Sequence, residues 1–195
     1  TRAYSVTGVQ TCALPIYTAK GLDLMARIEM AAALAEFEKA VTLDPDLAIA
    51  HSRMGVIYKE RGEYELAALS YEQAVKLDPY SFYDAMNLGD VYRLLKNFQA
   101  AVRAYMHAAE LDPNNPQAHL GLGVCCLLAG NDNAAVMAFE QPASLEPDRA
   151  FAWQNLGAAY ERKGKFYEAI RAYRNSLEFD SRQPGVLINL GRSHI

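Results

Sequence analysis

The residues of this chain that could do chemistry are few and scattered. Cys125 and Cys126 are adjacent, whereas a redox or metal pair needs CxxC spacing and further ligands, and none is placed to help. They read as small buried hydrophobes. His51 and His119 stand alone and read as packing aromatics. There is no GxGxxG, no P-loop, no HExxH and no GxSxG. Gly121 and Gly123 come nearest to a glycine loop, but they fall in a helical stretch. The carboxylates are dispersed, so no pair stands out for acid–base work. Arg162, Lys163 and Lys165 form a short basic cluster that reads as solvated surface. No catalytic, metal-binding or cofactor-binding residue is expected, and the chain does not read as an enzyme. What remains is recognition chemistry: arginines, asparagines and apolar side chains that could hold another chain.

Composition agrees with that reading. The chain has 195 residues, is 51% hydrophobic and 22% charged, and carries a formal charge of −4. That is enough sequence for a sizeable core. A mildly acidic balance argues against a nucleic-acid partner, which needs clustered Lys and Arg. No apolar run approaches 18 residues, so no transmembrane helix and no membrane partner is expected. Three cysteines make no disulfide framework.

The elements that must position these side chains follow a ladder of glycines. Gly55, Gly89, Gly123, Gly157 and Gly191 are spaced 34 residues apart. Other rows keep the step: Tyr71, Tyr105, Phe139 and Tyr173; Ala67, Ala101, Ala135 and Ala169; Pro45, Pro79, Pro113 and Pro147. Such a period marks a repeat array. With the glycine at position 8 of each repeat, positions 4, 7, 8 and 11 form one stripe of a helix A. Positions 17, 20, 24 and 27 form a stripe of a helix B. Leu-Asp-Pro sequences stop helix B, and Asp46, Ser81, Asn115 and Asp148 are the expected N-caps of the next helix A. A helical glycine costs about 1 kcal/mol relative to alanine. Its recurrence implies close helix packing, with the alanine at position 20 expected to face it. Pro142 breaks the pattern inside a helix B and is expected to kink or end it early.

The pattern aromatic-x2-Leu-Gly-x2-Tyr, then Ala-x3-Tyr/Phe, then Pro resembles the tetratricopeptide repeat. The second repeat is the fullest, with Gly55, Tyr58, Ala67, Tyr71 and Pro79, and the fifth carries Trp153, Leu156, Gly157, Tyr160, Ala169 and Tyr173. The resemblance implies an all-α fold, a right-handed superhelical solenoid of antiparallel helix pairs, with helix A on the concave face. The repeats are placed at about 17–46, 48–79, 82–113, 116–147 and 150–181, with a truncated one at 184–195. The chain thus reads as a fragment. Residues 1–16 are set apart as a non-native or disordered leader. Residues 6–16 look like a translated sequencing adapter, although the tail of a signal peptide is another reading.

The resemblance implies a protein or peptide segment in the concave groove, and not catalysis within the repeats. Positions 2, 5, 6, 9 and 12 would point into it. The chosen contacts are Arg53, Val56, Tyr83, Asn87, Asp90, Arg93, Leu120, Val124, Leu127, Phe151, Asn155 and Asn189. Chaperone-tail clamps need a Lys/Asn set that only Asn87 matches. An asparagine ladder at position 6 is carried by Asn87, Asn155 and Asn189 but interrupted by Arg53 and Gly121. The rival expectation is a regulatory or substrate-binding arm of a larger enzyme, such as a glycosyltransferase, with its catalytic domain beyond Ile195. Self-association through the uncovered C-terminal end is a further expectation.

Overall fold

The structure, a computed structural model, describes residues 6–27, 29–145, 150–181 and 184–192. Among the described residues there are helices and no strands. They run α1 (Val6–Ala26), α2 (Met30–Leu43), α3 (Ala48–Glu60), α4 (Tyr64–Leu77), α5 (Phe82–Leu94), α6 (Phe98–Leu111), α7 (Pro116–Leu128), α8 (Asp132–Leu145), α9 (Ala150–Arg162), α10 (Phe166–Phe179) and α11 (Pro184–Arg192). Odd-numbered helices are the A helices and even-numbered ones the B helices. Two compact units result, residues 1–91 and 92–195. Within the first, α1 to α4 pack in consecutive order; within the second, α6 to α11 do the same. This is the all-α solenoid arrangement of helix pairs.

The turns explain the boundaries. Helix B ends at the leucine of Leu-Asp-Pro in α2, α4 and α6. The aspartate then folds the chain back: Asp44, Asp78 and Asp112 each accept, on Oδ1, the amide two residues on, at 3.1–3.3 Å. Proline is dispensable for the stop, because α10 ends before Asp180 with serine next. Between A and B the chain turns through a left-handed residue: Gly62, Gly130 and Gly164 have φ of 76°, 80° and 70°. Lys96 holds the same place at φ 59°, strained for a side chain.

Two expected caps are present. The Ser81 hydroxyl accepts the Asp84 amide at 3.4 Å while donating to the Asp84 carboxylate, and Asn115 accepts the Gln117 amide at 3.1 Å. Asp46 is not a cap; Leu47 stands at the N-cap of α3 and makes no side-chain bond. Pro147 and Asp148 lie outside the described residues, as do residues 1–5 and the side chains of Cys12, Leu190 and Arg192.

The ladder glycine packs differently from expectation. A Cβ on Gly55 would lie 2.9 Å from the Tyr71 ring, on Gly123 2.5 Å from Phe139, and on Gly157 2.5 Å from Tyr173. Gly21 stands in the same relation to Phe37. The nearest neighbour is therefore the aromatic ring at position 24, not the alanine at position 20. A flat ring laid directly on the helix A backbone leaves no room for a methyl group. These rings are the largest buried side chains, with Phe37, Tyr71, Phe139 and Tyr173 all 0% exposed. The position-20 alanines are buried too, one turn away.

Pro142 does not end its helix. α8 continues three residues past it to Leu145, and the ring is fully buried. Helix α1 likewise runs through Pro15, from Val6 across the boundary drawn at residue 16.

Candidate peptide-binding face

In the first unit, α3 and α5 are successive A helices. Positions 2, 6 and 9 of α3 and positions 2 and 6 of α5 come together, because residues three and four apart share a helix face. Arg53 and Val56 from α3 and Tyr83 and Asn87 from α5 line one cavity of about 310 Å³. Its floor is internally satisfied. The Asp84 carboxylate, buried, accepts hydrogen bonds from Ser52 at 2.6 Å and Ser81 at 2.7 Å. The Lys59 ammonium donates to the Asn87 side-chain oxygen. Arg53 is the exception: its Nε is shielded from solvent and has no hydrogen-bond partner. At the rim, Tyr83 is 78% exposed and Ile49 41% exposed. Asp90, also on α5, is outside this cavity's lining and is already engaged within the chain, as is Arg93 near the end of the helix.

In the second unit the chosen residues separate. Leu120, expected as an apolar anchor, is a core residue: it is 6% exposed and packs in the cluster that holds Phe139 and Leu156. Val124 and Leu127 are half-buried against that cluster. Phe151 is 53% exposed at the start of α9. The Asn155 amide nitrogen donates to the Phe151 carbonyl at 3.0 Å, one turn back on its own helix.

Position 6 has a use that sequence spacing conceals. Gly121 stands there, and a Cβ on it would lie 2.5 Å from the Tyr105 ring of the preceding helix B. Asn189, at the same position of the last repeat, hydrogen-bonds the Tyr173 hydroxyl, which also donates to Glu161 at 2.7 Å. So position 6 meets the aromatic of the preceding repeat in both cases, and Asn189 is an inter-repeat latch. Burial, then the Glu161 carboxylate, pushes the Tyr173 hydroxyl well above its ordinary range. Tyr160 is raised to about 12 by burial and by its bond to Glu140 at 2.8 Å.

The histidines and cysteines take structural roles. His51 and His119 each bond, through Nε2, the carbonyl of the preceding proline, Pro45 at 2.8 Å and Pro113 at 2.9 Å. They pin the loop that enters helix A, a role legible only from their recurrence two repeats apart. Cys125 and Cys126 are buried thiols outside any disulfide, and burial raises the Cys126 thiol away from the reactive thiolate. Among the described residues no three His, Cys, Asp or Glu side chains group to hold a metal, and no helix is long and apolar enough to cross a membrane.

Comparison with known proteins accords with this geometry. A model described as tetratricopeptide repeat matches residues 48–81 and 150–182, and one described as TPR repeat matches 89–125. The chain belongs to the tetratricopeptide-repeat family. Repeat proteins of this kind are generally non-catalytic scaffolds for protein interaction. Among solved structures, MamA is similar at 26% identity and a TM-score of 0.79, over 87% of this chain and 93% of that one. YrrB, described as a TPR protein with an unusual peptide-binding site, shares the fold at 23% identity and a TM-score of 0.82, over 92% of this chain and 91% of that one. A MamA chain from Desulfovibrio magneticus RS-1 shares it at 19% identity and a TM-score of 0.75, over 88% and 97%. No curated protein is significantly similar in sequence.

Proposed function

We propose that the chain is a non-catalytic scaffold that holds an extended protein or peptide segment against the A helices of its repeats. The observation that carries this reading is the cavity between α3 and α5, where Arg53, Val56, Tyr83 and Asn87 converge from two successive A helices. It combines an exposed apolar rim with convergent polar groups, the composition a binding site needs. Phe151 and Asn155 supply a comparable apolar-and-polar pair on α9. The similarity to YrrB supports a peptide partner by analogy of fold.

Photo-crosslinking tests it. A benzoylphenylalanine is placed at position 83, at position 151, and at control position 69 on α4, whose leucine is 58% exposed. A randomised library of peptides about ten residues long is the probe. The reading expects labelling at 83 and 151 well above 69. Equal labelling at all three, or labelling at 69 alone, contradicts it.

A further inference from the structure

We infer that the cleft between α1 and α2 receives helix α4 of a second copy of this chain, so that two chains pair through their first units. The cleft holds about 390 Å³, is lined mainly by the B helix α2, and shares no lining residue with the α3–α5 cavity. What fills such a cleft is visible inside the same molecule. Tyr17, Ala35 and Lys39 line it from positions 4, 22 and 26 of the first repeat. At the same positions of the fifth, Trp153, Arg171 and Asn175 line a cavity of only about 150 Å³. There the preceding B helix, α8, closes the space. Its Val136, Phe139 and Ala143 pack in one cluster with Trp153, and its Glu140 accepts the Tyr160 hydroxyl at 2.8 Å. In the first repeat α1 packs on α2 and α2 on α3, and among the described residues no helix takes the place of α8. The cleft is therefore a seat for a helix that presents aliphatic carbon with a glutamate beside it.

Helix α4 is such a helix. Its Leu66 and Leu69, one turn apart, are 44% and 58% exposed, and no other B helix among the described residues exposes two large aliphatic side chains one turn apart. Glu65 and Glu72 share that exposed side, with Lys76 a turn further on. The cleft answers those charges. Lys39 on its wall and Lys20, held with it on Glu36, are 54% and 57% exposed, and Glu38 lines the rim. An ammonium has three donors, and Glu36 takes one from each lysine. Burial of Leu66 and Leu69 supplies the affinity, and the rim charges fix the orientation. Cleft and helix lie in the same unit, residues 1–91. A two-fold axis therefore seats the α4 of each copy in the cleft of the other, one contact made twice. On α2 the exposed Ala32 and Ala35 carry no bulk to hold the copies apart.

Sedimentation equilibrium of the whole chain over about 1–100 μM should show monomer and dimer in exchange. Leu69→Glu on the helix and Ala35→Glu in the cleft should each weaken the dimer by about a hundredfold, because each change is present twice across the axis. Helicity by circular dichroism should stay unchanged, since both side chains are exposed in the single chain. Isotope-labelled chain mixed with unlabelled chain that carries benzoylphenylalanine in place of Thr42 locates the contact. Cross-links between the copies should fall within α4, residues 64–77. Monomer at every concentration, a dimer that survives both substitutions, or cross-links between copies that fall on α11 or any segment other than α4 overturns the pairing. The peptide reading stands or falls separately, by the labelling at positions 83 and 151.

Discussion

At the scale of single residues, glycine carries the tightest constraint. Gly123 lies under the Phe139 ring, so Gly123→Ala must displace a fully buried aromatic. Overpacking costs about 1–3 kcal/mol, more than the roughly 1 kcal/mol that alanine gains in a helix. Gly191 has nothing within 4 Å of the same Cβ position. Thermal melts should therefore fall for Gly123→Ala and hold or rise for Gly191→Ala. The spacing showed that the glycines mattered. It could not show what they faced, because the reach of a ring four residues beyond the expected alanine is not written in the period. Leu120 failed for the related reason that neighbouring helix positions differ by 100° in direction but only by one in number. Asn189 looked like a groove residue and proved to be a latch on Tyr173, because a hydroxyl partner from the preceding repeat leaves no trace in a helical wheel.

A second residue-scale expectation concerns acid. Glu36 on α2 is buried and takes Lys20 from α1 at 2.9 Å and Lys39 at 3.0 Å, both on one carboxylate oxygen. These bonds hold its carboxyl below the ordinary value of 4.5, with burial opposing them. A folded value below the unfolded one stabilises at pH above the unfolded value, and that contribution is lost as pH falls through the folded one. Urea unfolding at pH 7 should show Glu36→Gln less stable than the wild type, with the gap closing as the pH drops below the ordinary carboxylate range. A constant gap at every pH would show that the loss is one of packing and not of charge.

At the scale of elements, helix limits were legible wherever a side chain or proline enforces them. Leu-Asp-Pro stops, the Ser81 and Asn115 caps and the glycine turns all stand where the sequence places them. Pro142 is the exception, since tertiary packing carries α8 past it to Leu145. The cost remains: the Ala138 carbonyl has no amide from residue 142 to accept. The same position holds Ala40, Ala74 and Ala108, each fully buried. Pro142→Ala should raise stability by roughly 1–3 kcal/mol, the helix gain less a small loss of filled volume. An unchanged denaturation midpoint would show that no strain is stored there. The left-handed turns invite a paired check. Gly130→Ala should lose about 1 kcal/mol through its positive φ, whereas Lys96→Gly should lose nothing.

At the scale of the whole molecule, the repeat period carried the fold class and, through the family resemblance, the general role. The site was only partly legible. Arg53, Val56, Tyr83 and Asn87 meet on one cavity, because all four lie on facing A helices. The unpartnered Arg53 Nε could not be foreseen, because spacing along a helix does not show which buried donors find an acceptor. The account's central claim is that the A helices are the recognition surface. Hydrogen–deuterium exchange of the chain, free and saturated with a peptide selected from the randomised library, tests it most directly. The account predicts added protection over 48–60 and 82–94, with α4 and α6 unchanged. Protection confined to those B helices, or spread evenly over the chain, would contradict it.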